Sequence, residues 1–513
     1  NISNVQEIFV NNDKLVTFST DYVLHTFDTS RCGNLQKCAP NYNEPLTKII
    51  IYDISDRELP KLEKEISVSG SYLDSRMIGD YVYVIANQYI YDDIVYPALY
   101  EDGVEKVIQA EDISYSDIKD YSYQFTTILG IDIDDGEISS ETTLTGATSN
   151  IYVSQDNIYL TQYKYGGWYR TMEENEEKTY IQKISIDKLD IKSVADGEVP
   201  GNILNQFSMD EYDEHFRIAT TSRTTIQNND NSLKKEIASS SSTQNNVYVL
   251  DKNLDVVGEL EGLAPGENIY SVRFMGEKAY VVTFKKVDPL FVISLEDPEN
   301  PKVLGKLKIP GYSDYLHPYD ENHIIGIGKD TEEAEYGDFA WYQGVKIAIF
   351  DVTDVENPIE MHKVIIGDRG TQSEALNDHK AFLFDREKEL LVIPIQLYEI
   401  LGEKTEGSRY GEFTFQGAHV YNINLDDGFN LKGRITHVTP EEELKAGYYY
   451  DYNSQIRRSL YMDETLYTIS NNRIKANDLD SENLEEIKNI ELLHEEQKYY
   501  VDEGIASRGV LSE

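Results

Sequence analysis

Residues 267–311 read ENIYSVRFMGEKAYVVTFKKVDPLFVISLEDPENPKVLGKLKIPG. The stretch holds four short apolar runs: IYSVRFM, KAYVVTF, PLFVISL and KVLGKLKI. Each is bounded by Gly, Pro, Asp, Glu or Asn, and each is too short for a typical helix. Their Val, Ile, Tyr and Phe suit a pleated, half-buried surface. Four such runs within about 45 residues predict one antiparallel four-stranded sheet, the size of a propeller blade.

The same grammar recurs along the chain. The turns DISDRELPK, SLEDPENPK and DVTDVENPIE align, with Pro60, Pro301 and Pro358 each just before a last strand. Proline fits there, where no ladder N–H is needed. Asp134-Asp135-Gly136 and Asp426-Asp427-Gly428 read as hairpin turns. The spacing predicts eight units, at about residues 5–70, 71–146, 147–201, 202–266, 267–311, 312–370, 371–437 and 448–492. A tail, 493–513, follows. The fold class is therefore all-β, a single β-propeller domain over 1–513 with eight four-stranded blades. Seven is the alternative, should unit three or eight fall short of a full sheet.

Three units carry long insertions. Residues 89–123 form a Tyr- and acid-rich insertion, expected as a loop. GGWYRTMEENEEK interrupts unit three, and TIQNNDNSLKKEIASSSSTQNN in unit four is too polar to pack. Residues 440–445 read as a short acidic, helix-like patch.

Several long segments, in order, resemble a known family: GSYLDSRMIGDYVYVI, DYSYQFTTILGIDID, FRIATTS, the stretch quoted first, and EALNDHKAFLFDREKELLVIPI. They resemble the secreted prokaryotic β-propeller proteins distantly related to WD-repeats. The resemblance covers nearly the whole chain. It implies a propeller and an extracytoplasmic location, with an upstream signal or anchor region. It implies no established activity and no catalytic residues. No Gly-His…Trp-Asp signature recurs.

Composition narrows the partners. The chain has 513 residues, 92 acidic against 47 basic, for a formal net charge of −45. Such a surface repels nucleic acid and anionic headgroups. It favours hard cations, Ca²⁺ first, or else serves only solubility. No run reaches the ~18 apolar residues of a membrane helix. The chain begins at Asn1 and carries no signal peptide, as a processed secreted protein would. Its two cysteines, Cys32 and Cys38, read as a loop disulfide of an oxidising compartment.

Aligned on their second strands, the units place Arg76, Arg273 and His317 at one first-strand position. Arg458 lies within one position of that register, and Arg217 lies on a comparable strand. If first strands line the ring, these groups point into a central channel and suit a carboxylate or phosphate ligand. Alternatively each pairs with an adjacent acid such as Asp74, Glu214 or Asp314. Asp378-His379 is either a carboxylate orienting a general base or a turn cap, and His379 is a further channel candidate. No nucleophile motif accompanies it.

For metal, Asp132–Gly136 fails EF-hand spacing. Glu111, Asp112, Asp117 and Asp120 form the expected Ca²⁺ cluster, or else a solvated acidic loop. The nine His give no zinc pattern. The expected function is an extracytoplasmic binding or scaffold protein, calcium-stabilised, with a protein, glycan or small-anion ligand. The alternative is a hydrolase or lyase acting on a carbohydrate, peptide or small anion at the channel.

Overall fold

Val82, Val84 and Ala86 pack with Val16, Phe18, Ile49 and Ile66, whereas Tyr83 and Ile85 of the same strand pack with Ile158, Leu160 and Ile184. Side chains alternate across a strand, so one strand can serve two cores only if a sheet lies on each face. This is why its central residues are buried without a polar break. The alternation passes onward. Tyr159 joins Phe216, Ile218, Tyr248 and Leu250. Val247 and Val249, which alternate with those last two, join Val272, Val281 and Ile293.

The computed structural model describes residues 5–26, 41–90, 94–115, 123–164, 177–226, 240–285, 288–334, 339–403, 406–439 and 452–492. They form eight sheets, as the repeat grammar predicts. Sheet 1 holds Val5–Asn11, Lys14–Thr26, Asn41–Asp53 and Lys61–Ser69. Sheet 2 holds Ser71–Ile78, Tyr81–Tyr89, Gln124–Asp132 and Ile138–Thr145. Sheet 3 holds Thr148–Val153, Asn157–Lys164, Lys178–Asp187 and Asp190–Pro200. Sheet 4 holds Met209–Tyr212, His215–Ile226, Ser240–Leu250 and Val256–Leu263.

The stretch quoted first is sheet 5: Asn268–Met275, Lys278–Phe284, Asp288–Ser294 and Lys302–Ile309. Sheet 6 holds Tyr312–Asp320, His323–Glu333, Ala340–Asp351 and Ile359–Ile366. Sheet 7 holds Leu383–Asp385, Leu390–Glu399, Glu412–Asn424 and Gly428–Ile435. Sheet 8 holds Arg458–Met462, Thr465–Ile469, Arg473–Asp478 and Glu486–Glu491. Sheets 1–4 and all of sheet 5 but Asp288 and Leu307–Ile309 lie in one compact unit, Asn1–Lys285 with Pro289–Lys306. Sheets 6–8 lie in a second, Lys286–Asp288 with Leu307–Glu513.

Two expectations are corrected. The insertion at 89–123 is not simply a loop. Ala98–Glu101 and Val104–Val107 pair onto Lys61–Ser69 as fifth and sixth strands of sheet 1. Ile113–Tyr115 then adds to sheet 2, parallel to Ile138–Thr145. Backbone pairing needs no apolar run, so composition hid these strands. The polar stretch of unit four also pairs: Thr224 lies opposite Ser242 and Ile226 opposite Ser240. Residues 227–239, the Trp insertion at 165–176 and the patch at 440–445 lie outside the described residues.

The aligned turns share one bonding pattern. Asp297 accepts from the Glu299 amide (3.2 Å) and the Asn300 side chain (2.9 Å), and Asp354 does the same with Glu356 and Asn357. Asp56 accepts from the Glu58 amide at 3.1 Å. These are Asx turns, in which a side chain stands in for backbone. Gly136 and Gly428 adopt φ of 77° and 71° in their hairpin turns. Among the described residues no helix is long and apolar enough to cross a membrane.

Candidate functional site

In the first unit, three of the expected cationic residues gather along Gln206–Asp210. Asn205 caps a 3-10 turn, Gln206–Ser208, by accepting from the Phe207 amide at 3.0 Å. Arg76 donates to Gln206 Oε1 (2.9 Å), to Asp74 Oδ1 (2.7 Å) and to the Ser75 carbonyl (2.7 Å). Arg273 stands over the Phe207 ring at 5.5 Å. Arg217, only 3% exposed, donates through Nε to Asp210 Oδ2 at 2.9 Å and also to the Gly276 carbonyl. Its guanidinium lies 4.9 Å from the Tyr212 ring and 5.2 Å from that of Phe274. Burial pushes the Asp210 carboxyl up, against the opposing pull of Arg217 and Arg273. Arg76 thus meets the acid expected of it, whereas Arg217 takes Asp210 rather than Glu214.

In the second unit, His317, His379 and Arg458 are likewise brought together. His317 Nδ1 lies 3.0 Å from the Tyr315 hydroxyl, and its ring packs on Phe382 and Phe384. His379 stands 6.2 Å from the Tyr315 ring. Asp378 caps the turn His379–Ala381, accepting from the Lys380 amide at 2.9 Å. The Arg458 guanidinium lies 4.0 Å from that carboxylate. Asp314 faces Lys329, and burial pushes its carboxyl up to about 7. Burial also lowers Lys329 to about 8.

Each unit also holds a cavity that sequence reasoning missed. The first unit's is about 240 Å³, between sheets 2 and 3, edged by Tyr115, Tyr123 and Tyr180 and walled by Gln162, Gln182 and Asp196. Gln182 is 5% exposed and donates through Nε2 to Thr143 and Ser193, both at 3.0 Å. Its Oε1 is buried with no hydrogen-bond partner among the described residues. Lys164, beside the cavity, donates to the Tyr180 hydroxyl at 3.3 Å.

The second unit's cavity, about 220 Å³, is walled by Glu374, Gln396, Gln416 and Gln455, with Pro394 and Ile456. Ser373 caps the 3-10 turn Glu374–Leu376 that carries the carboxylate there, accepting from the Ala375 amide at 3.2 Å. Scattered glutamines give no periodic signal, and only the tyrosine content of the first insertion hinted at either cavity.

Of the expected calcium cluster, Glu111 and Asp112 sit exposed on a 3-10 turn, Ala110–Asp112. Asp117 and Asp120 lie outside the described residues, as do Cys32 and Cys38. No three His, Cys, Asp or Glu converge among the described residues.

The family model described as "Beta propeller domain" matches residues 1–482. The chain belongs to the β-propeller domain family. An uncharacterised protein of Methanocaldococcus jannaschii is 28% identical to this propeller protein over 539 residues, covering 89% of the chain and 76% of the relative. An uncharacterised protein of Archaeoglobus fulgidus is 38% identical over 218 residues, 42% of the chain and 30% of the relative. Similar solved structures include a periplasmic gluconolactonase of Pseudomonas aeruginosa (TM-score 0.38, 9% identity, 72% of this chain and 92% of that one). A europium-containing methanol dehydrogenase is another (TM-score 0.36, 8% identity, 96% and 79%). At that level of likeness neither says anything of the chemistry of this propeller protein.

Proposed function

We propose that this propeller protein is a secreted or cell-surface binding module, stabilised by calcium, whose ligand is an uncharged hydroxyl-bearing molecule of the glycan kind. The observation that carries the ligand class is the lining of the cavity between sheets 2 and 3. Tyrosine rings, amides and hydroxyls line it, with one carboxylate and, among the described residues, no lysine or arginine. Rings offer apolar faces, and the orphaned Gln182 Oε1 offers an acceptor to a ligand hydroxyl. An anion would need basic donors there. Arg76, Arg217 and Arg458 face carboxylates of their own chain instead. Binding is favoured over hydrolysis because Asp378 spends its carboxylate on a turn cap rather than on orienting His379.

A neutral-glycan array followed by calorimetry tests the ligand class. Tyr115 and Tyr123 are 74% and 47% exposed, so replacing them leaves the fold intact. Tyr115→Ala and Tyr123→Ala should each weaken binding about tenfold, about 1.4 kcal/mol, at unchanged Tm. Absence of glycan binding, or binding indifferent to both changes, removes this ligand class. The extracytoplasmic location rests on the family resemblance and on the cysteine pair. Thiol alkylation without reductant should leave the intact mass unchanged, and addition of two labels would remove the Cys32–Cys38 disulfide. Calcium is supported by the net charge of −45. Chelation should lower Tm, and an unchanged Tm with no metal by elemental analysis would remove calcium.

A further inference from the structure

The second unit's cavity is lined chiefly by side-chain amides, with one carboxylate. Gln416 is 2% exposed and Gln455 5% exposed, and the Oε1 of each is buried with no partner among the described residues. The Gln416 amide nitrogen turns toward the Ile456 carbonyl at 3.5 Å, which directs its oxygen away from that carbonyl. Glu374 lines the same cavity, and its carboxylate meets no hydrogen-bond or ion-pair partner among the described residues. Among the described residues no lysine, arginine or histidine lines it. Lys329, whose amine reaches the Thr371 carbonyl nearby, has its charge opposed by Asp314.

Two desolvated amide oxygens left without donors cost stability unless something satisfies them. Among the described residues no protein donor reaches them, and a cation does the same work. Amide and carboxylate oxygens without nitrogen or sulfur select a hard ion. A cavity of about 220 Å³ has room for an ion that keeps several waters. We propose that this cavity is a calcium site, with Glu374, Gln416 and Gln455 as its protein ligands. The inference rests on the calcium part of the functional reading and moves it from the Glu111–Asp112 turn to sheets 7 and 8. One carboxylate among neutral oxygens gives weak binding. The expected Kd is about 10⁻⁴ to 10⁻³ M, the range of extracellular calcium modules.

Calcium titration of the full chain by calorimetry and by melting tests this, with magnesium at equal concentration beside it. Wild type should bind one Ca²⁺ at this cavity and gain Tm with it, and magnesium should give less because it demands a tight octahedron. Glu374→Gln keeps the shape, removes the charge, and should weaken that binding at least tenfold. A Glu111→Gln/Asp112→Asn double variant should keep it. If Glu374→Gln binds calcium as wild type does, the site is overturned while calcium survives. If wild type binds none, both readings fall. Equal shifts with magnesium would mean general screening and would also overturn the site.

Discussion

At the scale of single residues, burial sets opposite pH dependences within the second unit. Asp314 titrates near 7 when folded against 3.8 when unfolded, because burial penalises its charge. Between those values the folded chain holds a proton that the unfolded chain has released. Stability from this group is therefore full at low pH and falls as pH rises from about 4 to 7. His419 and His437 act the other way. Burial, then the nearby Arg434, lowers His419 to about 3; burial, then Lys475 and Arg473, lowers His437 to about 3. Below 6.5 the unfolded chain takes up protons that the folded chain refuses, so stability falls on acidification. Asp314→Asn and His437→Gln separate the two in urea melts from pH 4 to 7. The asparagine variant should gain on wild type as pH rises, and the glutamine variant as pH falls. Each slope is at most about 1.4 kcal/mol per pH unit. Parallel stability curves would show that neither group is coupled to folding. Arg217 is buried and bonded, so Arg217→Met should cost about 3–5 kcal/mol by stranding Asp210. A loss confined to ligand binding would instead assign Arg217 to recognition.

At the scale of elements, turns decide how neighbouring sheets meet. A Cβ on Gly258 of sheet 4 would fall 2.0 Å from the Pro298 carbonyl, in the Asx turn of sheet 5. That approach is open only to glycine, so Gly258→Ala should destabilise by at least 1 kcal/mol, measured by denaturant midpoint. An unchanged midpoint would mean the turn moves aside freely. The turns and the second strands were the legible part of the sequence. Asp297, Asp354 and Asp56 each accept from the amide two residues on, and buried runs such as Val82–Ala86 are free of side-chain amides and charges. The first strands were legible only in part. Arg76, Arg217 and Arg273 could be placed on strands, but not at Gln206–Asp210, because no pattern marks Gln206 or Phe207 as their partners. The cavity glutamines were invisible, since an orphaned amide differs from a surface one only in three dimensions.

At the scale of the whole molecule, a formal charge of −45 makes ionic strength a stabiliser. Self-repulsion spans distances that about 10 Å of Debye screening cuts off at 0.1 M salt. Raising NaCl from 0.01 to 0.15 M should raise Tm, and a flat profile would show that the acidic groups are locally compensated. Repeat grammar revealed the number of sheets because every blade-sized unit obeys it. It did not reveal how the first two units share chain. Ala98–Glu101 and Val104–Val107 follow Tyr81–Tyr89 in sequence yet complete sheet 1, before the chain returns to finish sheet 2. The boundary between repeats is therefore not a boundary for synthesis or excision. A nascent chain must extend well past Gly70 before its first sheet can gain its outer edge. The smallest fragment that keeps both of these sheets whole runs from Val5 to Thr145.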